Sequence, residues 1–193
     1  MGRDKAGLRP AGPDGPALLD RARACFEPNT CELLFAVGRR ERQECAGFRQ
    51  VLDAVPDAGP LAGLVAGLEV AHASHGDVRV CVSACDMPYI EWAVFEELLS
   101  VAEARDADVV LARTGSKDEP LCAVYHTRVL PVLRASLHAG ERRLIAFHAR
   151  PLEDPEGTQR ALRIERVVVA SARALANVNT PAEYARVVAE ART

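Results

Sequence analysis

Short apolar runs alternating with helical periodicities constrain this chain more than any other feature. Leu33-Leu34-Phe35-Ala36-Val37 is a continuous apolar run stopped by Gly38 and by charged Arg39 to Arg42, the pattern of a buried strand entering a loop. Leu61, Leu64, Val65 and Leu68 then recur at helical spacing behind Ala58-Gly59-Pro60, which predicts a helix with proline in its first turn. Val78, Val80 and Val82 alternate as a strand ending before Asp86, and 93–104 reads as a helix. Residues 107–111 and 121–125 read as strands, 129–138 as a helix, 162–170 as a late strand and 182–191 as a terminal helix. Such alternation predicts an α/β fold, a Rossmann-like mostly parallel sheet flanked by helices. The Pro/Gly/Asp-rich segments 9–16 and 151–157 read as surface loops rather than linkers, so residues 1–193 are expected to form one domain.

Composition narrows the function. The net charge of -3, with acidic and basic residues interspersed, gives no basic face for a phosphate backbone, so nucleic acid is not an expected partner. No apolar run approaches the roughly 20 residues that cross a bilayer, and the amino-terminal residues are charged and rich in Gly and Pro. No membrane association and a cytoplasmic location are therefore expected. Cys25, Cys31, Cys45, Cys81, Cys85 and Cys122 form no CxxC pair, which favours reduced packing residues over a metal cluster.

Several residues could carry chemistry. In an open parallel sheet the ligand crevice lies beyond the carboxyl ends of the strands, and Asp86 follows the strand Val80-Cys81-Val82 directly. Its carboxylate could hold Mg²⁺ against phosphate oxygens, or could cap the turn at Pro88. The chain has only two lysines, Lys5 and Lys117; Lys5 could neutralise a triphosphate or be a solvated terminal residue. Gly59-Pro60-Leu61-Ala62-Gly63 could bring backbone N–H groups of a helix start to a nucleotide, or be plain helix entry. Arg142 and Arg143 could clamp phosphate or form a solvated face. Asn177 and Asn179 alternate before Thr180-Pro181, which places both amides on one side; Thr180 with Pro181 also reads as an ordinary helix start.

Taken in order, Met1-Gly2-Arg3-Asp4-Lys5, Gly59 to Gly63, Cys85-Asp86-Met87-Pro88, Pro120-Leu121-Cys122-Ala123-Val124-Tyr125, Gly140-Glu141-Arg142-Arg143 and Asn177-Val178-Asn179-Thr180-Pro181 resemble the signature segments of the molybdenum cofactor guanylyltransferase family. The resemblance covers essentially the whole chain. It implies Mg²⁺-dependent transfer of GMP from GTP to the terminal phosphate of molybdenum-loaded molybdopterin, with release of pyrophosphate. It also implies a nucleotidyltransferase fold. Asp86 would bind Mg²⁺ and the α-phosphate, Lys5 the leaving phosphates, and Asp53 the guanine or ribose. Arg142, Arg143, Asn177 and Asn179 would lie on the pterin side. A family asparagine that contacts nucleotide falls at Gly38. The family's Leu-Ala-Gly-Gly loop and the strand before it have no counterpart here, so the sheet is expected to lack its first strand and to expose the neighbouring ladder edges. Two alternatives stand beside this reading: a cytidylyltransferase acting on the same cofactor, and a degenerate non-catalytic molybdopterin-binding relative. Molybdoenzyme chaperones or other molybdenum cofactor proteins are the implied partners besides the small-molecule substrates.

Overall fold

A computed structural model describes residues 5–45, 47–53, 55, 58–153 and 157–191. In chain order the elements are α1 (Leu18–Phe26), β1 (Leu34–Gly38), β2 (Arg49–Leu52), α2 (Pro60–His75), β3 (Arg79–Ser83), α3 (Trp92–Ala104), β4 (Val109–Thr114) and β5 (Lys117–His126). These are followed by α4 (Leu130–His138), β6 (Leu152–Glu153), β7 (Gln159–Arg160), β8 (Ile164–Val168) and α5 (Pro181–Glu190).

The principal sheet has the order β3-β5-β4-β8, and a separate pair joins β1 to β2. β1–β2 and β4–β8 are parallel, whereas β5 runs antiparallel to both its neighbours. The sheet is therefore mixed within an α/β architecture. β5 departs from the parallel pattern because Gly115, at φ +59, allows a tight turn that returns the chain beside β4 with no helical crossover.

β4 shows why the sheet is covered on both faces. Val109, Val110, Leu111 and Ala112 are all 0% exposed, and successive strand residues point to opposite faces. Val109 and Leu111 join Leu61 and Leu68 of α2 and Leu133 of α4 in one core. Val110 and Ala112 join Phe95 and Leu98 of α3 and Val167 of β8 in another. A strand buried on both sides has to be apolar throughout, which is why 109–112 contains no polar residue.

The polar exception lies one residue earlier. Asp108 is 0% exposed and accepts hydrogen bonds from Arg160 Nη1 and Nη2 at 2.6 and 2.8 Å, from Arg128 Nε at 2.5 Å and from the Arg163 backbone N–H at 2.7 Å. One carboxylate thus ties the start of β4 to the end of β5 and to the segment entering β8. Tyr125, also fully buried, donates its hydroxyl to Pro120 O at 2.8 Å, as a buried phenol must.

α5 begins with a reciprocal cap. Thr180 Oγ1 accepts from Glu183 N–H, and Glu183 Oε2 accepts from Thr180 N–H. Thr180→Ala removes one half of the cap and is expected to lower stability by about 1 kcal/mol. A chemical denaturation midpoint unchanged from the parent would refute this.

None of the six cysteines is in a disulfide. Burial pushes the thiol of Cys25 up to about 11 and those of Cys81 and Cys122 up to about 12, so these three are protonated packing groups rather than reactive thiolates. Among the described residues no helix is long and apolar enough to cross a membrane.

Candidate functional site

The carboxyl ends of β1, β2 and β3 open onto one cavity, whose lining includes Gly38, Asp53 and Asp86. Asp53 follows β2 directly, and its N–H donates to Gly38 O at 2.9 Å. Burial raises the Asp53 carboxyl above the ordinary aspartate range, because the charged form is poorly solvated there. Above it lies the first turn of α2, where Gly59 (φ +71) and Gly63 approach closely. A Cβ placed on Gly63 would stand 3.2 Å from Ala36 Cβ and 3.4 Å from Asp53 Oδ1. The glycine thus lets the helix start sit against β1 and over the carboxylate. Gly63→Val is expected to lower stability by about 1–3 kcal/mol through overpacking. It should also displace the Asp53 carboxylate it would press against; an unchanged melting temperature would contradict the packing argument.

Asp86 is at the centre of the cluster. Lys5 Nζ lies 2.9 Å from Asp86 Oδ2 and donates to Asn179 Oδ1 at 2.5 Å. The Asp86 main-chain carbonyl accepts from Val178 N–H at 2.9 Å. Three segments distant in sequence therefore meet beyond β3. The side chains of Lys5 and Asp86 are 29% and 17% exposed, so the pair faces the crevice without being sealed from it. Asn179 is held from behind, its N–H donating to Glu183 Oε2 at 2.8 Å. Asn177 Oδ1 is buried with no hydrogen-bond partner among the described residues.

The other expected site residues are less converged. Arg142 approaches the entrance through its backbone, its carbonyl lying 3.7 Å from where a Gly59 Cβ would be. The side chains of Arg142 and Arg143 are exposed and do not line the cavity. Met1 to Asp4 of the first signature segment lie outside the described residues. Cys85 of the signature segment also lines this cavity, as do Ala6 and Arg42, which the sequence did not mark as site residues. Arg42 Nε donates to Val37 O, and its main-chain N–H and C=O bond the Gln50 amide, which fixes the turn after β1. The charged stretch behind Gly38 was the available signal for it.

The profile of the MobA-like NTP transferase domain matches residues 1–152. A probable molybdenum cofactor guanylyltransferase of Chloroflexus aggregans is 33% identical over 183 residues, covering 94% of this chain and 84% of that protein. The chain belongs to the molybdenum cofactor guanylyltransferase family. It is accordingly a nucleotidyltransferase. A second family member, the molybdenum cofactor guanylyltransferase of Pseudomonas putida strain GB-1, is 36% identical over 132 residues, which span 67% of this chain and 66% of that protein. The fold agrees with the crystal structure of molybdopterin-guanine dinucleotide biosynthesis protein A from Archaeoglobus fulgidus. That match has a TM-score of 0.77 at 21% identity and covers 99% of this chain and 92% of that one.

Proposed function

We propose that this chain transfers GMP from GTP to the terminal phosphate of molybdenum-loaded molybdopterin, forming the guanine dinucleotide cofactor. The observation that carries the reading is the Lys5–Asp86–Asn179 cluster at the carboxyl end of β3, in a chain of this family. In the reaction an oxygen of the pterin phosphate attacks the α-phosphorus of GTP. A new P–O bond forms, the bond to the β-phosphate bridging oxygen breaks, and pyrophosphate leaves with the electron pair. The attacking group is already anionic, so the protein's task is positioning and charge neutralisation rather than covalent catalysis.

The donor set fits Mg²⁺ arriving with a triphosphate. Among the described residues no group of three or more His, Cys, Asp or Glu could cage a metal, whereas Mg²⁺ commonly takes one or two carboxylates and completes its shell with phosphate oxygens and water. Asp86 is the carboxylate that would hold it, and the ion would neutralise charge on the phosphate oxygens. Lys5, paired with Asp86, would neutralise charge on the leaving phosphates. Asn179 orients Lys5 through its amide oxygen. Asp53, in the cavity beside Gly63 of α2, would meet the guanine or ribose. Arg142, Arg143, Asn177 and Asn179, outside the cavity lining, would contact the pterin from its rim, and the product would pass to a molybdoenzyme chaperone or another molybdenum cofactor protein.

The test is pyrophosphate release with molybdenum-loaded molybdopterin as acceptor and GTP or CTP as donor. GTP is expected to support turnover, with CTP slower by at least about 10²-fold, since a site built to hydrogen-bond one base leaves its polar groups unpaired against another. Equal rates, or no acceptor-dependent release with either nucleotide, would overturn the proposal.

A further inference from the structure

The segments that carry Asp86 and Asn179 meet a second time, outside the cavity. Tyr89 follows Asp86 by three residues, Arg173 belongs to the short 3₁₀ helix Ala172–Leu175 that leads into Asn177, and Glu190 ends α5. The Tyr89 hydroxyl donates to Glu190 Oε2 at 2.5 Å, and Arg173 Nη2 donates to the same oxygen at 2.6 Å. The Arg173 guanidinium also lies over the Tyr89 ring, 4.1 Å from its centre. Each of the three groups therefore touches the other two, and none of them lines the cavity. Burial and the Glu190 carboxylate hold the Tyr89 hydroxyl above the ordinary tyrosine range, so it remains a donor at neutral pH.

The loop that carries Asp86 depends on such ties, because residues 84–91 form neither helix nor strand. Met87 and Ile90 sink into the core beside α3, which fixes the depth of the loop. Tyr89, between them, links it to the carboxyl-terminal segment instead. α5 thus works from both ends: Glu183 near its start receives the N–H of Asn179, and Glu190 at its end receives the Tyr89 hydroxyl. Asp86 and Asn179 are also bridged by Lys5, but that bridge opens if the ammonium turns to phosphate. What then holds the two segments in register is the bond from Val178 N–H to the Asp86 carbonyl and the Tyr89 clasp.

We infer that Tyr89, gripped by Arg173 and Glu190, is a positioning residue for the metal–nucleotide site: it sets the separation of Asp86 and Asn179 when Lys5 engages phosphate. The inference rests on the reading that Asp86 holds Mg²⁺ against the α-phosphate. Groups that orient a metal ligand without touching the metal change its affinity by about 10–100-fold. Arg173 and Glu190 keep 60% and 47% side-chain exposure, and exposed pairs couple weakly, so a smaller change of about 3–10-fold is expected here.

The experiment titrates the full chain with Mn²⁺ in the presence of GTP, reading bound metal by electron paramagnetic resonance. Tyr89→Phe keeps the ring under Arg173 and removes only the hydroxyl's bond; Glu190→Gln weakens the same bond from the other side. Each should weaken metal binding by about 3–10-fold, and the double variant should be no worse than the weaker single, because both cut one link. Melting temperatures should stay within about 2 °C of the parent, since the clasp is exposed. In turnover the half-saturating Mg²⁺ concentration should rise by the same factor while the rate at saturating Mg²⁺ is kept. Arg134→Ala, which breaks an exposed pair between α4 and Glu69 of α2, should leave metal binding unchanged, whereas Asp86→Asn should lose most of it. Unchanged binding in Tyr89→Phe and Glu190→Gln beside a loss in Asp86→Asn would overturn the clasp alone. Equal weakening by Arg134→Ala would overturn it too, by showing a response to any surface change. Parent-like binding by Asp86→Asn would overturn the metal reading, and the role of Tyr89 with it.

Discussion

Asp86→Asn is expected to lower the turnover number for pyrophosphate release by about 10²–10³-fold, with little change in stability. The size follows from the loss of a full negative charge at the point where Mg²⁺ and the α-phosphate would be held, in a crevice where such a charge is not easily replaced by solvent. The small stability effect follows from what Asp86 holds in the fold. Its side chain makes one partly exposed ion pair with Lys5, and pairs of that kind contribute about 1 kcal/mol or less. The Asp86 contact that anchors Val178 is made by the main-chain carbonyl and survives the substitution. Kinetics at saturating GTP beside a melting curve separate the two effects. A variant that turns over within a fewfold of the parent would remove Asp86 from the mechanism.

The largest stability effect is expected away from the crevice. Asp108→Ala strips the common partner from Arg128, Arg160 and the Arg163 N–H, leaving donors aimed at an apolar void. Breaking a buried pair typically costs about 3–5 kcal/mol. Arg128 and Arg160 keep 24% and 31% side-chain exposure and can turn partly toward water, so the lower end, about 3 kcal/mol, is expected. That corresponds to a fall in melting temperature of about 10 °C. The network also sets an acid limit. Burial alone would raise the Asp108 carboxyl, but hydrogen bonds from Arg160, the Arg163 N–H and Arg128 outweigh it and hold it at about 2, against 3.8 for an ordinary aspartate. A group depressed in this way contributes its full stabilisation above the unfolded value. The contribution is lost as pH falls from about 4 toward about 2, and amounts to about 2–3 kcal/mol in all. Denaturation curves of parent and variant should therefore differ most at neutral pH and converge below pH 4. A constant difference across that range would show that the carboxylate's charge is not what matters.

These two residues also illustrate what the sequence could and could not reveal. Asp86 was legible because it ends a strong alternating pattern before proline. Its junction with Lys5 and Asn179 was legible only as a set of signature segments, since contact across 81 and 174 positions is a property of topology rather than of local pattern. Asp108 is a visible anomaly, an acid opening an apolar strand, but its partners Arg128 just past β5, Arg160 on β7 and Arg163 before β8 have no sequence signal. α1 is hard to see in the sequence although Leu18, Leu19, Ala22 and Phe26 form its buried face, because the Pro/Gly-rich stretch directly before it breaks the helical pattern. β2 is obscure for a different reason. Arg49-Gln50-Val51-Leu52 has one buried residue, and only its pairing with β1 makes it a strand. The segments read at 107–111 and 121–125 are longer in the structure, ending in the turn around Gly115, where charged Lys117, Asp118 and Glu119 hid the continuation of β5.

The cap of α5 has a practical consequence. Glu183 Oε2 receives the N–H groups of both Asn179 and Thr180, so the last helix braces the residue that touches Lys5. Shortening the protein after Val178 for crystallisation, or splicing a partner protein into α5, would trim more than a peripheral helix. It would loosen the grip on the ammonium of Lys5, and a loss of activity in such a product would be misread as evidence that the chain is not an enzyme.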